Sequence, residues 1–232
     1  MIAAAKAIRI FTTSRSFNAA TEQQALGCGF LPSPLTGAAG VLWIGNMKKL
    51  LSFLLVGALL AGCERPASLT QADREAVLQI DELALWIEGF SPDASKESLK
   101  KTKDFDNSYY VEYEYDDSLN EEAPYLVYDV SVQPTKSDAA LIYQAQKIGV
   151  NLGLFGEDVK QVQRNDLFRW GDESNFSLLQ FEDGLIFGNL FVARKGKRVV
   201  MFVVSGVYFD RSEDMHDLLD EKLEALERLP AP

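Results

Sequence analysis

Residues 109–116 read YYVEYEYD, and this stretch decides the fold of the 232-residue chain. Apolar or aromatic side chains occupy every second position, and one tyrosine and three carboxylates stand between them. Because the side chains of a β-strand point alternately to the two faces of a sheet, this strict period of two predicts a strand with one buried face. A second strand is predicted over residues 125–133, and the turn-like residues 117–124 between the two favour an antiparallel pair.

Helices and further strands surround this hairpin. Thr70, with Asp73 three residues later, is typical of a capped helix start, and Gly89 marks the end of that helix. The last predicted strand is apolar on both faces, which indicates a central strand covered from both sides. The spacing of apolar residues after the hairpin predicts a helix over 135–152, strands over 159–167, 176–181, 185–193 and 198–208, and a helix over 210–229. In the helix over 135–152 the expected buried stripe, at steps of four, three and four, is Leu141, Ala145, Ile148 and Leu152.

These elements predict an α+β domain over residues 70–232, with an antiparallel sheet of about six strands and helices packed on its faces, in the order αββαββββα. Over Tyr109 to Leu229 this order resembles the Mog1/PsbP-like fold, which also ends in a long helix after a strand that is apolar on both faces. The leading helix departs from that pattern. The resemblance implies a binding or assembly factor more than an enzyme, although a fold does not fix a function.

A targeting signal precedes the domain. Two lysines follow Met47, residues 50–60 carry no charge, and Ala61-Gly62-Cys63 come next. A basic start, a short apolar core and small residues at its end are typical of a secretory signal peptide. The 11 core residues would span only about 16 Å as a helix, against about 30 Å for a bilayer interior. The sequence Leu60-Ala61-Gly62-Cys63 resembles the lipobox of bacterial lipoproteins, which implies cleavage after residue 62 and acylation of Cys63.

Residues 1–46 stand outside this interpretation. They contain four charged residues, no sustained periodicity and a stretch rich in Gly and Pro over 27–45. Such a segment has little to bury and little reason to fold, so we expect it to be disordered. The hypothesis is that the true start is Met47 and that residues 1–46 are an over-long start. The alternative is an organelle transit peptide, because the segment is acid-poor and contains Ser and Arg.

The 170 residues from Cys63 onward contain 18 Lys+Arg and 33 Asp+Glu, a net charge near −15. This charge argues against nucleic-acid binding, which needs a basic surface. Acyl chains on Cys63, rather than basic residues, are expected to hold the protein to the membrane. Residues 63–69 are predicted to be a short tether that keeps the domain within about 20 Å of the lipid. The predicted location is the periplasm-facing side of a bacterial envelope membrane, and Glu64 in place of Asp favours the outer one.

Six tyrosines on the predicted hairpin are the candidate partner-binding residues. One strand face cannot hold them all, and tyrosine is enriched in protein interfaces because its ring is large and its tip is polar. The alternative is a tyrosine-rich core whose hydroxyls reach the edge of the sheet. The six residues are Tyr109, Tyr110, Tyr113, Tyr115, Tyr125 and Tyr128.

Other polar residues give no catalytic pattern. The acidic residues of 112–122 could supply oxygen ligands to Ca²⁺, but their spacing is not that of an EF-hand, and the solvated outer face of a hairpin explains them equally. The one histidine, His216, stands among carboxylates, and no cysteine remains as a nucleophile after lipidation. No catalytic residue, metal or cofactor is predicted. The sequence favours a non-catalytic module that binds an envelope protein; the alternative is a carrier or enzyme for a small molecule or cell-wall ligand, with a pocket between sheet and helix.

Overall fold

The computed structural model describes residues 65–117, 119–120, 123–153 and 159–232. Eight strands, four α-helices and one short 3-10 helix (Ala94–Lys96) lie within these ranges. The strands are β1 (Arg65–Pro66), β2 (Glu97–Lys103), β3 (Tyr109–Asp116), β4 (Tyr125–Val132), β5 (Val159–Gln163), β6 (Glu173–Phe181), β7 (Ile186–Lys195) and β8 (Arg198–Ser205). The helices are α1 (Gln71–Glu75), α2 (Ile80–Ala84), α3 (Lys136–Gly153) and α4 (Ser212–Arg228).

The strands form one antiparallel sheet in the order β1-β2-β3-β4-β8-β7-β6-β5. The predicted hairpin is confirmed, because β3 pairs with β4 from Tyr109 opposite Val132 to Asp116 opposite Tyr125. Burial along β3 alternates residue by residue, as its sequence pattern predicts. The α+β class and the antiparallel sheet with packed helices are therefore correct.

Helices cover both faces of the sheet. Helices α1, α2 and α4 pack on one side, which we call the front face, and α3 packs on the other, the back face. Strand β8 lies between β4 and β7 and contributes apolar side chains to both layers, as predicted for a central strand. Its front-face residues are Val200, Phe202 and Val204, and its back-face residues are Val199, Met201 and Val203.

The prediction of about six strands is wrong, because β1 and β2 add two strands at one edge of the sheet. Strand β2 reads ESLKKTK, in which Leu99 is the only large apolar residue. Such a segment has little β-propensity of its own, and lysines are typical of strands that border solvent. Strand β1 comes from the segment predicted as a tether, since Arg65 pairs with Lys103 and Pro66 with Thr102.

The single helix predicted between Thr70 and Gly89 is also wrong. Helix α1 does have the predicted capping box, with Asp73 bonded to the Thr70 backbone N–H at 2.7 Å. It ends after Glu75, and Gln79 returns to extended geometry with φ −109° and ψ 160° before α2 begins. The order predicted for the chain before Tyr109 is therefore replaced by a strand, two short helices and another strand.

The stripe predicted to be buried on α3 faces outward. Leu141 is 70% exposed and Ile148 is 58% exposed, and Ala145 between them is exposed as well. The side chain of Leu152 lies outside the described part of the structure. The helix instead packs through the residues on its opposite side, which also follow steps of four, three and four: Ala139, Tyr143, Gln146 and Val150.

Candidate functional site

The structure places most of the six candidate tyrosines inside the protein. Tyr110 is partly exposed, and the other five are at most 6% exposed. The tyrosine-rich core, which the sequence left open as the alternative to a partner-binding surface, is therefore the arrangement observed for these five residues. The front-face members join the core under α1, α2 and α4, and Tyr125 joins the back-face core; the front-face members are Tyr109, Tyr113, Tyr115 and Tyr128.

The hydroxyls of the β3 tyrosines hold surrounding segments against the sheet. The Tyr113 hydroxyl accepts from the backbone N–H of Ile80 at 2.8 Å and donates to Glu97 at 3.0 Å. The first turn of a helix has N–H groups without partners inside the helix, and Tyr113 satisfies one of these in α2. The Tyr109 hydroxyl donates to the carbonyl oxygen of Pro230 at 2.8 Å, which fixes the chain beyond α4.

Tyr128 differs from its neighbours on β3. Its ring is fully buried, and its hydroxyl has no hydrogen-bond partner among the described residues. Burial raises the pKa of the Tyr128 hydroxyl, and the nearby Glu82 carboxylate raises it further. Glu82 is itself paired with Lys222, so an ion pair between α2 and α4 lies close to this ring.

Asp73 and Lys101 form a buried ion pair where α1 meets β2. Lys101 donates to both Asp73 oxygens at 2.8 Å, and its ammonium lies 4.4 Å from the centre of the Tyr109 ring. Burial acts to raise the pKa of Asp73, but hydrogen bonds from Lys101 and Thr70 outweigh burial and lower it. Burial is also the main reason that the pKa of Tyr109 rises to about 12.

One end of the sheet is marked by a continuous row of paired residues, and we call this end the base. The row crosses six strands at about 4.8 Å per step, so it is about 24 Å wide. The C-terminal end of α4 closes it from the front, because the Arg198 guanidinium donates to the carbonyl oxygens of Leu226 and Leu229. The members of the row are Arg65, Lys103, Tyr109, Val132, Arg198 and Lys195.

Four cations at the base make no ion pair with another described residue; Arg65, Lys103 and Lys136 are exposed and Lys197 is partly exposed. Other cations at this end are paired. Arg194 bonds Glu173 at 2.7 Å, and Lys195 pairs with Glu227, whose pKa it lowers.

The loop between β2 and β3 projects an aromatic ring beside these cations. Phe105 is 63% exposed, and the Arg65 guanidinium lies 4.2 Å from its ring centre. Asn107 takes a positive φ of 68°, which lets the loop reverse tightly. Sequence reasoning missed both Arg65 and Phe105, although the Asp106-Asn107 pair after a lysine-rich run was a usable turn signal.

The outer side of α3 is a second exposed apolar surface. Leu141, Ala145 and Ile148 follow one another along the helix over a rise of about 10 Å. Because the opposite side of α3 is already packed on the sheet, this stripe has no partner among the described residues. We call Leu141, Ala145 and Ile148 the outer stripe.

The back face also carries buried polar side chains. Ser131, Gln133 and Gln146 are at most 9% exposed, and each has a side-chain atom without a hydrogen-bond partner among the described residues. Ser131 and Gln133 lie on or just after β4, and Gln146 lies on the packed side of α3. Buried polar atoms of this kind are commonly satisfied by water or a ligand.

The acidic residues of the hairpin form a partly solvated surface. Glu112 pairs with Lys100 at 2.8 Å, and Glu114 accepts from the Tyr125 hydroxyl at 3.2 Å. Glu121 and Glu122 lie outside the described residues.

No group of three His, Cys, Asp or Glu side chains among the described residues could hold a metal ion. His216 is half exposed and pairs with Asp220 on the surface of α4.

Comparison of the chain with protein-family models, with curated proteins and with solved structures finds no match. Cys63 and the signal segment over 47–62 lie outside the described residues, as do residues 1–46. Within the described part of the chain, no helix combines the length and apolar character needed to cross a membrane.

Proposed function

We propose that this protein is a bacterial envelope lipoprotein, held to a membrane by acyl chains on Cys63 and facing the periplasm. The observation that carries the proposal is the segment from Met47 to Cys63, with its basic start, short apolar core and Leu60-Ala61-Gly62-Cys63 end. The outer membrane is the favoured location because Glu64, and not Asp, follows Cys63.

We further propose that the folded part is a non-catalytic module that binds an envelope protein. The outer stripe supports this proposal, since contiguous exposed apolar side chains are typical of interaction sites. The burial of five candidate tyrosines moves the expected contact away from the β3–β4 hairpin. The partner would then present an apolar surface to α3, as grooves that receive a helix do. The resemblance in element order to the Mog1/PsbP-like fold, from β3 to α4, agrees with a binding or assembly role but remains a proposal.

The anchor is tested by replacing the cysteine. The unmodified chain should fractionate with membranes, resist extraction by salt and be released by detergent, whereas Cys63→Ser should appear in the soluble periplasmic fraction. Ser68→Ala, a substitution at an exposed position of the mature chain, is the matched control and should behave like the unmodified chain. Mass spectrometry should find an acylated N-terminal peptide that begins at Cys63. A Cys63→Ser variant that stays in detergent-sensitive membrane association would contradict lipidation.

The partner is tested by photo-crosslinking in the intact envelope. A photoreactive residue in place of Leu141 should yield a discrete adduct with one protein. The matched control places the same residue at Leu119, which is 86% exposed and lies in the β3–β4 connection. The adduct should vanish when Ile148→Asp is added. Equal adducts from both positions, or none from Leu141, would contradict a contact on the outer stripe.

A second candidate function is favoured by the buried polar atoms of Ser131, Gln133 and Gln146. Under this alternative the protein is a carrier or enzyme for a small molecule or cell-wall ligand, bound between the back face and α3. Gln146→Leu distinguishes the two proposals. It should abolish small-molecule binding under the alternative, and it should leave crosslinking from Leu141 unchanged under the protein-binding proposal.

A further inference from the structure

The direction of β1 fixes the side from which the chain reaches the folded domain. Arg65 pairs with Lys103 at the base, and the following residues run away from it, with the Ala67 N–H bonded to the Lys101 carbonyl at 2.9 Å. Only Glu64 separates Cys63 from Arg65. The two Cα atoms are therefore at most about 7 Å apart, much less than the 20 Å expected of a loose tether. Any membrane anchor on Cys63 would hold the base close to the lipid.

The two ends of the sheet differ in charge: cations without an ion pair lie at the base, and carboxylates gather at the opposite end. The base presents Arg65, Lys103, Lys136 and Lys197. Acidic residues gather at the opposite end, which includes the β6–β7 turn and the start of α4; those described there include Asp116, Asp117, Glu182, Asp183, Asp210, Glu213 and Asp214. The base has carboxylates as well, but they are held within the protein: Asp106 accepts from Ser108, and Asp172 accepts from the Gly196 N–H and pairs with Arg194. The four cations that make no ion pair with a described residue can therefore face anionic headgroups. The acidic cluster at the opposite end, about 24 Å away along the strands, lies well beyond the Debye length of about 8 Å.

Phe105 adds an apolar contact to these charges. Its exposed ring stands at the tip of the β2–β3 loop beside Arg65. The carboxylate of Asp106, next to it in the loop, accepts from the Ser108 backbone N–H at 2.8 Å and from its hydroxyl at 2.6 Å. An exposed aromatic ring with a guanidinium against its face can bind the interfacial layer of a bilayer.

We infer that the base of the sheet is a membrane-contacting surface that binds anionic phospholipid headgroups, with Phe105 reaching into the interface. This inference rests on the proposed lipid anchor at Cys63. It gives the module a fixed orientation: the base lies on the membrane, the acidic end points into the periplasm, and the outer stripe of α3 stands at the side, where another envelope protein can reach it.

The test uses the full lipoprotein, purified from membranes and reconstituted into phosphatidylglycerol-containing vesicles. Phe105→Trp reports contact through quenching by brominated lipids. Leu185→Trp is the matched control, because Leu185 is 55% exposed at the acidic end. After subtraction of the signal of the chain without the added tryptophan, quenching should be at least about twofold greater for Phe105→Trp, since bromine quenches only at short range. Adding Lys103→Glu should reduce that quenching, and Lys160→Glu, at an exposed position of β5, should not.

Each outcome decides a different claim. Equal quenching of Phe105→Trp and Leu185→Trp in protein that floats with the vesicles would overturn the contact surface and leave the anchor intact. An equal effect of Lys103→Glu and Lys160→Glu would overturn recognition of anionic headgroups by the base. A chain that does not float with the vesicles at all would overturn the anchor, and this inference with it.

Discussion

The carboxylate of Asp73 and the ammonium of Lys101 meet at 2.8 Å and join α1 to the edge strand β2. Asp73 is 1% exposed, and it also accepts from the backbone N–H and hydroxyl of Thr70. One carboxylate thus caps a helix and secures a strand with only one large apolar residue. This pair explains how β2 is held at a position where its own sequence contributes little burial.

Asp73→Asn should lower the free energy of unfolding by about 2 to 3 kcal/mol, because it leaves Lys101 without its buried partner. Asp217→Asn, the same change at an exposed position of α4, should change it by less than about 0.5 kcal/mol. Urea denaturation of both variants measures the difference. Equal free energies of unfolding for Asp73→Asn and Asp217→Asn would show that the Asp73–Lys101 pair makes no net contribution to stability.

The same carboxylate predicts a pH dependence. The pKa of Asp73 is lower in the folded than in the unfolded chain, so its stabilisation is complete above the unfolded value of about 4 and is lost as the pH falls through the folded value. Between about pH 5 and pH 3, the unmodified chain should therefore lose more stability than Asp73→Asn. Parallel denaturation curves for the two proteins across this range would contradict the shift.

Two tyrosine-to-phenylalanine substitutions should have opposite effects. Tyr113→Phe removes the bonds to Ile80 and Glu97 and should cost about 1 to 2 kcal/mol. Tyr128→Phe removes a buried hydroxyl without a partner in the described structure, so the stability should stay the same or rise by up to about 1 kcal/mol. Thermal unfolding measured by circular dichroism compares them. A larger loss for Tyr128→Phe than for Tyr113→Phe would mean that its hydroxyl is bonded.

The two sides of α3 should respond differently to substitution. Tyr143→Ala opens a cavity under the packed side and should cost about 3 kcal/mol. Leu141→Asp and Ile148→Asp change only exposed positions and should each cost less than about 1 kcal/mol. Chemical denaturation of the three variants decides which stripe belongs to the core. Larger losses of stability for Leu141→Asp and Ile148→Asp than for Tyr143→Ala would support the packing that the sequence predicted.

Gly188→Ala should be among the most damaging single substitutions in β7. A Cβ at this position would stand 2.1 Å from the Val204 carbonyl oxygen of the neighbouring strand, where backbone cannot yield cheaply. A loss of about 3 kcal/mol or more is expected. Gly196→Ala is the control: its φ is +61° but its surroundings are open, so it should cost about 1 kcal/mol. The soluble yield and the melting temperature of the two variants measure these effects, and a melting temperature of Gly188→Ala as high as that of Gly196→Ala would contradict the close contact.

The sequence predicts well where the pattern of a single element determines its burial. The alternation over 109–116 identifies β3, and the two-faced apolar pattern over 198–208 identifies a central strand whose observed bounds are Arg198–Ser205. The helix α4 is equally clear, since Met215, Leu218 and Leu226 are buried as its spacing indicates. In each case only one packing satisfies the local pattern.

The sequence did not predict the structure correctly where two packings satisfied the same hydrophobic pattern. It also failed where residues distant in the chain determine the local structure. Helix α3 has apolar stripes on opposite sides with the same spacing, so only the sheet determines which one is buried. The segment that begins with Thr70 is interrupted because Tyr113, 33 residues beyond Ile80, supplies a partner for the start of α2. The cations of the base come from four separate segments, and no local pattern indicates that they share one end of the sheet.

The bonds that hold Pro230 and Leu229 against the base have a practical consequence for labelling. The chain after α4 is held at the base, so a fluorescent protein fused after Pro232 would crowd the surface that carries Arg65 and Phe105. An epitope inserted between Asp183 and Gly184 would instead lie in the β6–β7 turn, at the end of the sheet opposite the base. A tag at that position keeps both termini native and leaves the base unobstructed.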